Sequence, residues 1–97
     1  MESISYCILL AIAEEPLYGL AIQAQVAVDS RSGLYLQATT IYKTLKRLIG
    51  RQLVESFVDD YSGRTHYRLT RQGQRTLRVE TMRLQDAVNL AKRRILF

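Results

Sequence analysis

Gln37-Ala38-Thr39-Thr40-Ile41-Tyr42-Lys43-Thr44-Leu45-Lys46-Arg47-Leu48-Ile49-Gly50-Arg51 decides how the rest of this chain is read. Ile41, Leu45, Leu48 and Ile49 recur at helical spacing and define one apolar face. Thr40, Lys43, Thr44, Lys46, Arg47 and Arg51 are assigned to the opposite face. The segment holds four basic residues and no acidic one, so its polar face is uniformly positive. The DNA major groove admits an α-helix, and Lys and Arg reach both phosphates and guanine edges there. A solvated basic face on an ordinary surface helix has the same pattern, so the flanking segments must decide.

Upstream, Ser3 to Glu14 is predicted as a first helix. Ser3 is its cap, and Ile4, Cys7, Ile8, Ala11 and Ile12 form an apolar face that Leu9 and Leu10 widen. Pro16 ends it, because proline cannot continue a helix and biases Glu15 towards an extended backbone. A second helix is predicted from Tyr18 or Gly19 to Asp29, with Leu20, Ile22, Val26 and Val28 on its apolar side. Asp29-Ser30-Arg31-Ser32-Gly33 carries turn chemistry, and Leu34-Tyr35-Leu36 reads as a short strand.

Downstream, Leu53–Asp59 and Thr65–Leu69 are β-prone runs joined by Asp60-Tyr61-Ser62-Gly63-Arg64, the pattern of a hairpin. Tyr67 and Leu69 are expected to face inward. In the first strand, Leu53 and Phe57 alternate with Val54 and Val58, which leaves its inward face open. Thr70 caps a long last helix, Arg71 to Arg94. Leu77, Thr81, Leu84, Val88, Ala91 and Ile95 recur there as a heptad seam. At ~1.5 Å per residue such a helix outruns a domain this small, so part of the seam calls for a partner chain.

Charge supports a local reading rather than a global one. The chain has 97 residues and a net charge of +5. Residues 1–70 carry seven basic and seven acidic side chains, so the whole excess lies after Thr70. The clustering between Lys43 and Arg51 therefore carries the argument, not the total. One His (His66) and one Cys (Cys7) offer no metal-ligand spacing, and no glycine-rich phosphate loop is present; no catalytic site and no cofactor is expected. Asp59 and Asp60 read as turn caps. No run of apolar residues is long enough to span a membrane, and no basic leader opens the chain, which fits a cytoplasmic home.

Helix, helix, turn and basic helix, followed by a hairpin, describe a helix-turn-helix with a wing: an α+β, mostly α, winged helix-turn-helix with a long C-terminal dimerisation helix. Residues 1–70 form its DNA-binding domain and 71–97 its dimerisation helix. The placement assigns Thr39, Thr40 and Lys43 to base edges, with Gln37 beside them at the helix start. Tyr18, Tyr42, Lys46, Arg47 and Arg64 are assigned mainly to phosphates. Tyr42 could instead pack beside Ile41, and Tyr18 could bury its ring and leave its hydroxyl at the DNA backbone. Leu77, Leu84, Val88, Ala91 and Ile95 are the dimerisation residues. The partners implied are double-stranded DNA and a second copy of the chain, and no membrane. A winged-helix protein-interaction module without DNA binding is the alternative, and the basic face argues against it.

Particular residues carry a family resemblance. Leu9-Leu10-Ala11-Ile12 followed by Pro16-Leu17-Tyr18-Gly19 resembles the opening of PadR-type transcriptional regulators. So do Thr40-Ile41-Tyr42 with Leu45-Lys46-Arg47-Leu48, Leu53-Val54-Glu55-Ser56, Gly63-Arg64, and Tyr67-Arg68-Leu69-Thr70 with Gly73. The resemblance covers residues 3–78. It implies a repressor that dimerises through its C-terminal helix and binds a palindromic operator. It also implies that Thr40, Tyr42 and Lys43 lie on the DNA-reading helix, that Tyr18 and Gly19 start the preceding helix, and that Gly63-Arg64 form the wing tip. Gln37-Ala38-Thr39 stands where the family often has Ser-Pro-Gly. The chain has no Trp, the residue with which some small members stack flat ligands on the last helix, and no effector pocket is assigned.

Overall fold

The structure, a computed structural model, describes residues 1–30 and 33–95. Its elements in order are α1 (Ser3–Ala11), β1 (Leu17–Tyr18), α2 (Gly19–Asp29), α3 (Ala38–Gly50), β2 (Val54–Val58), β3 (Thr65–Leu69) and α4 (Arg71–Ile95). Of the turn read at 29–33, Arg31 and Ser32 lie outside the described residues, as do the last two residues of the 71–97 segment.

The core forms where three helical faces meet. Ile8, Leu9 and Ile12 of the α1 segment, Ile22 and Val26 of α2, and Ile41, Leu45 and Leu48 of α3 are all buried, joined by Leu36, Leu53, Val54 and Leu77. Leu10, Leu20 and Val28, predicted to extend those faces, are exposed instead. Each sits one or two residues from a fully buried neighbour, which at 100° per residue turns it off the narrow buried stripe. Thr44 makes the opposite correction. The sequence pattern puts it on the polar face, yet it is buried along with Leu45 and Leu48. Its small β-branched side chain fills the crowded edge of the stripe.

α1 is shorter than its pattern predicts. Glu2, not Ser3, is the extended residue before its first turn, and Ser3 is already helical. The Ser5 hydroxyl donates to Glu2 Oε1 at 3.2 Å. At the other end the helix stops at Ala11, because Leu17 and Tyr18 are drawn into the sheet.

That sheet is antiparallel with the order β1-β3-β2. Leu17 and Tyr18 pair with Tyr67 and His66, while Val54 to Val58 pair with Leu69 to Thr65. The register puts Leu17, Tyr67, Leu69 and Val54 on the inner face, as expected for Tyr67 and Leu69, and settles the first strand on Val54. Leu53, just before β2, is buried as well. The short strand is therefore Leu17–Tyr18, not Leu34–Leu36. In the latter run Leu36 enters the core and its carbonyl accepts from Gln23 Nε2 at 2.7 Å, while Tyr35 is exposed. One loop closes the wing: Ser62 N donates to Asp59 Oδ2 at 2.8 Å, and Gly63 sits at φ +70°, where a glycine bears no steric cost.

α4 begins as the sequence predicts, with Gly73 N donating to Thr70 Oγ1 at 2.9 Å. Its first turns bury Gly73 and Leu77 in the domain's own core. Tyr6 donates its hydroxyl to Thr81 Oγ1 at 2.7 Å, and Thr81 donates on to the Leu77 carbonyl. Beyond Thr81 the helix leaves the domain, which gives the chain its 53 × 28 × 21 Å outline. Among the described residues no helix is long and apolar enough to cross a membrane. Three helices, a three-stranded sheet with a hairpin wing and a long last helix make this a winged helix-turn-helix.

Candidate nucleic-acid interface

α3 presents the polar face that its apolar register demands. Thr39, Tyr42, Lys43 and Lys46 are exposed at helical spacing, and Thr40 is half-buried beside them. Gln37 is the extended residue at the helix start, and its side chain makes no capping bond. Gln37 is itself exposed, so its amide is open to solvent at the leading edge of the helix.

Tyr42 is fixed by a contact with the preceding helix. Its ring lies directly against Gly19, so that a Cβ on Gly19 would overlap the phenol. The Tyr42 ring is thus packed on Gly19, while 46% of the residue is still exposed. Tyr18, Gly19, Tyr42, Arg64 and Tyr67 line one open groove between the start of α2, α3 and the wing. Burial, and secondly the nearby Tyr42, push the Tyr67 phenol above its ordinary pKa, so it stays a neutral hydrogen-bonding group.

The wing reaches this groove through stacked side chains. The Arg64 guanidinium lies 4.6 Å from the Tyr18 ring centroid, a cation–π contact. Tyr18 in turn tilts against His66 at 5.6 Å, and His66 against Phe57 at 5.7 Å. His66 is thus half-buried between two rings. Arg68 closes the row over Phe57 at 4.6 Å, with its Nε 2.8 Å from Glu55.

Cations divide into two groups. Arg68 is paired with Glu55, and Arg47 Nη1 lies 3.4 Å from the carboxylate of Glu2, just before α1. Lys43, Lys46 and Arg64 form no ion pair among the described residues. The structure thus brings Tyr18, Tyr42 and Arg64 into one groove, sets Thr39, Lys43 and Lys46 on the adjoining helix face, and turns Arg47 towards α1. Thr65 and Tyr67 also line the groove and are not among the residues the sequence singles out for it, since only the pairing of β1 with β3 carries Tyr67 there. No group of His, Cys, Asp or Glu suited to hold a metal ion occurs among the described residues.

Of the proposed dimerisation residues, Leu77 lies in the domain's own core. Leu84, Val88 and Ile95 lie on the projecting part of α4 and are 38%, 47% and 76% exposed. Ala91 lies between them, and Val88, Ala91 and Ile95 line a shallow apolar depression.

Residues 8–79 match the model of the transcriptional regulator PadR-like family. A PadR family transcription regulator from hypervirulent Clostridium difficile R20291 superposes with a TM-score of 0.83 at 23% identity, over 95% of this chain and 97% of that one. A transcriptional regulator from Clostridium thermocellum gives 0.81 at 19% identity, over 98% of both chains. Bacillus subtilis PadR in complex with operator DNA gives 0.73 at 19% identity, over 82% of this chain but 47% of that one. At these identities the likeness is one of fold. No curated protein matches the sequence.

Proposed function

Because the chain belongs to the PadR-like family of transcriptional regulators, we propose that it is a repressor that binds a palindromic operator in double-stranded DNA as a homodimer. The observation that carries this reading is the shared placement of cations without acidic partners: Lys43 and Lys46 on the open face of α3, and Arg64 on the same side through the groove it shares with Tyr42. On this reading α3 enters the major groove. Gln37, Thr39, Thr40 and Lys43 meet base edges near its N-terminal end, while Tyr18, Tyr42, Lys46 and Arg64 hold phosphates and set the register. Arg47 reaches a phosphate by releasing Glu2, an exposed pair that costs little to separate.

Residues 1–70 are the DNA-binding domain and 71–97 the dimerisation segment, and the first turns of α4 also close the core. The exposed seam Leu84, Val88, Ala91 and Ile95 supports the homodimer, since an apolar stripe on a projecting helix is covered most simply by its own copy. Such a regulator works in the cytoplasm, where its DNA is. A gel-shift titration against a duplex from the promoter of its own gene, with a scrambled duplex of equal length beside it, tests the proposal. Preferential retardation of the promoter duplex is expected; equal affinity for both would reduce it to sequence-independent DNA binding, and no retardation of either would leave the fold as a protein-interaction module.

A further inference from the structure

One threonine joins the helix proposed to read DNA to the helix proposed to make the dimer. α3 ends with Gln52 N donating to the Ile49 carbonyl at 2.9 Å and Leu53 N to the Leu48 carbonyl at 3.0 Å. This paired closure needs a left-handed residue after the last turn, usually glycine. Here that residue is Gln52, at φ 63°, and not Gly50. A left-handed glutamine is uncommon and persists where its surroundings hold it. Thr70 supplies the hold: its Oγ1 donates to the Gln52 carbonyl at 2.6 Å, and its N–H donates to the Leu53 carbonyl at 3.1 Å. The same Oγ1 accepts from Gly73 N at 2.9 Å and so caps α4. Gly73 packs its bare backbone on the Leu53 carbonyl, where any Cβ would overlap that oxygen.

We propose that Thr70 and Gly73 are positioning residues that fix the angle between α3 and α4, and so select the half-site spacing that the dimer accepts. The proposal rests on the reading of the chain as a dimeric DNA-binding protein. Leverage makes the clasp matter. From Gly73 to Val88 the helix runs about 22 Å at roughly 1.5 Å per residue. A tilt of about 10° at the clasp therefore displaces the seam by about 4 Å, close to the ~3.4 Å step between bases on one strand. Leu77 and the Tyr6–Thr81 hydrogen bond seat the next turns of α4 in the core and on α1, whereas the clasp ties α4 to the end of α3 itself.

The test uses the full chain and a palindromic duplex recovered with it from a randomised pool, together with a single half-site and duplexes one base pair longer and shorter between the half-sites. Thr70→Val keeps the shape and removes both hydroxyl bonds, Thr70→Ser restores them, and Gly73→Ala forces the backbones apart. Thr70→Val and Gly73→Ala are expected to sediment as dimers and bind the half-site as the parent does. Their preference for the selected spacing over its neighbours should fall about tenfold, which for Thr70→Val is the scale of its two lost hydrogen bonds, and Thr70→Ser should regain it. A spin label on Gly50→Cys, in a Cys7→Ala background, reads the α3–α3 distance in the dimer without DNA; Gly50 has open space around it. One narrow distance is expected for the parent and a broadened one for Thr70→Val. Unchanged spacing preference with an unchanged distance overturns the proposal. So does an equal loss on half-site and full site, or unfolding of both variants, since either marks the clasp as a stability element alone. If the parent recovers no palindrome, the DNA reading falls, and the label distance still decides the clasp.

Discussion

The phenol of Tyr42 occupies the space that a side chain on Gly19 would need, so the start of α2 and the first half of α3 are in direct backbone-to-ring contact. Gly19→Ala must push the ring away. Overpacking of this kind costs about 1–3 kcal/mol. The loss should be smaller in a Tyr42→Ala background, where the space is free, with a coupling of about 1 kcal/mol or more in a double-mutant cycle. Thermal or denaturant unfolding of the four chains measures it. Additive losses would mean that the two residues are not in contact.

Asp59 sets a pH dependence in the wing. The Ser62 N–H, then the Ser62 hydroxyl, hold its carboxyl below the ordinary aspartate range, against a small opposing effect of desolvation. A carboxylate whose folded pKa is depressed adds stability that is fully present above its unfolded pKa and is lost as the pH falls through the folded value. The wing turn should therefore be intact at neutral pH and loosen only in acid, below the range in which free aspartate titrates. Carbon-detected NMR titration of the Asp59 carboxyl reads this directly. A pKa at or above that of a free aspartate would contradict the turn described.

Lys43 and Arg64 should respond differently to truncation. Lys43 stands near the N-terminal end of α3 and Arg64 at the wing tip over Tyr18. Lys43→Ala should weaken a specific site more than a random duplex, by roughly 1–3 kcal/mol where a base contact is lost. Arg64→Ala should weaken both about equally, because phosphate contacts carry no sequence information. Paired titrations on the two duplexes separate the cases, and equal losses for Lys43→Ala would move it to the phosphate contacts.

Binding should also be strongly salt-dependent. If each subunit neutralises about three phosphates, the slope of log K against log salt is about −5 for the dimer, from roughly −0.9 per phosphate. Titration across a salt series gives the slope. Tight binding with a slope near zero would reject the electrostatic account.

The fold was legible wherever local periodicity and packing agree. Ile41, Leu45 and Leu48 set the α3 register, and Thr70 announced the start of α4, because each signal lies within a few residues. β1 was not legible, because Leu17 and Tyr18 are a strand only through Tyr67 and His66, some fifty residues on. Leu34–Leu36 looked like a strand because one residue, Leu36, is needed in the core. The candidate interface was legible as an exposed basic helix face but not as a groove. That Tyr67 stands beside Tyr18, that His66 is enclosed by rings, and that Arg47 turns to Glu2 all depend on contacts between distant segments. The left-handed Gln52 was not legible because glutamine seldom takes that conformation and the residue that holds it, Thr70, is distant in sequence.

The central claim is that two copies, joined along α4, hold two recognition helices on one operator. Leu84→Asp places a carboxylate in the middle of the exposed seam, where burial against a second copy would cost several kcal/mol. Sedimentation and operator titration on this one variant test the claim most directly. A folded monomer whose operator affinity is lower by orders of magnitude is predicted, because the second half-site is no longer engaged intramolecularly. A variant that remains a dimer, or a folded monomer that binds the operator as tightly as the parent, would contradict it.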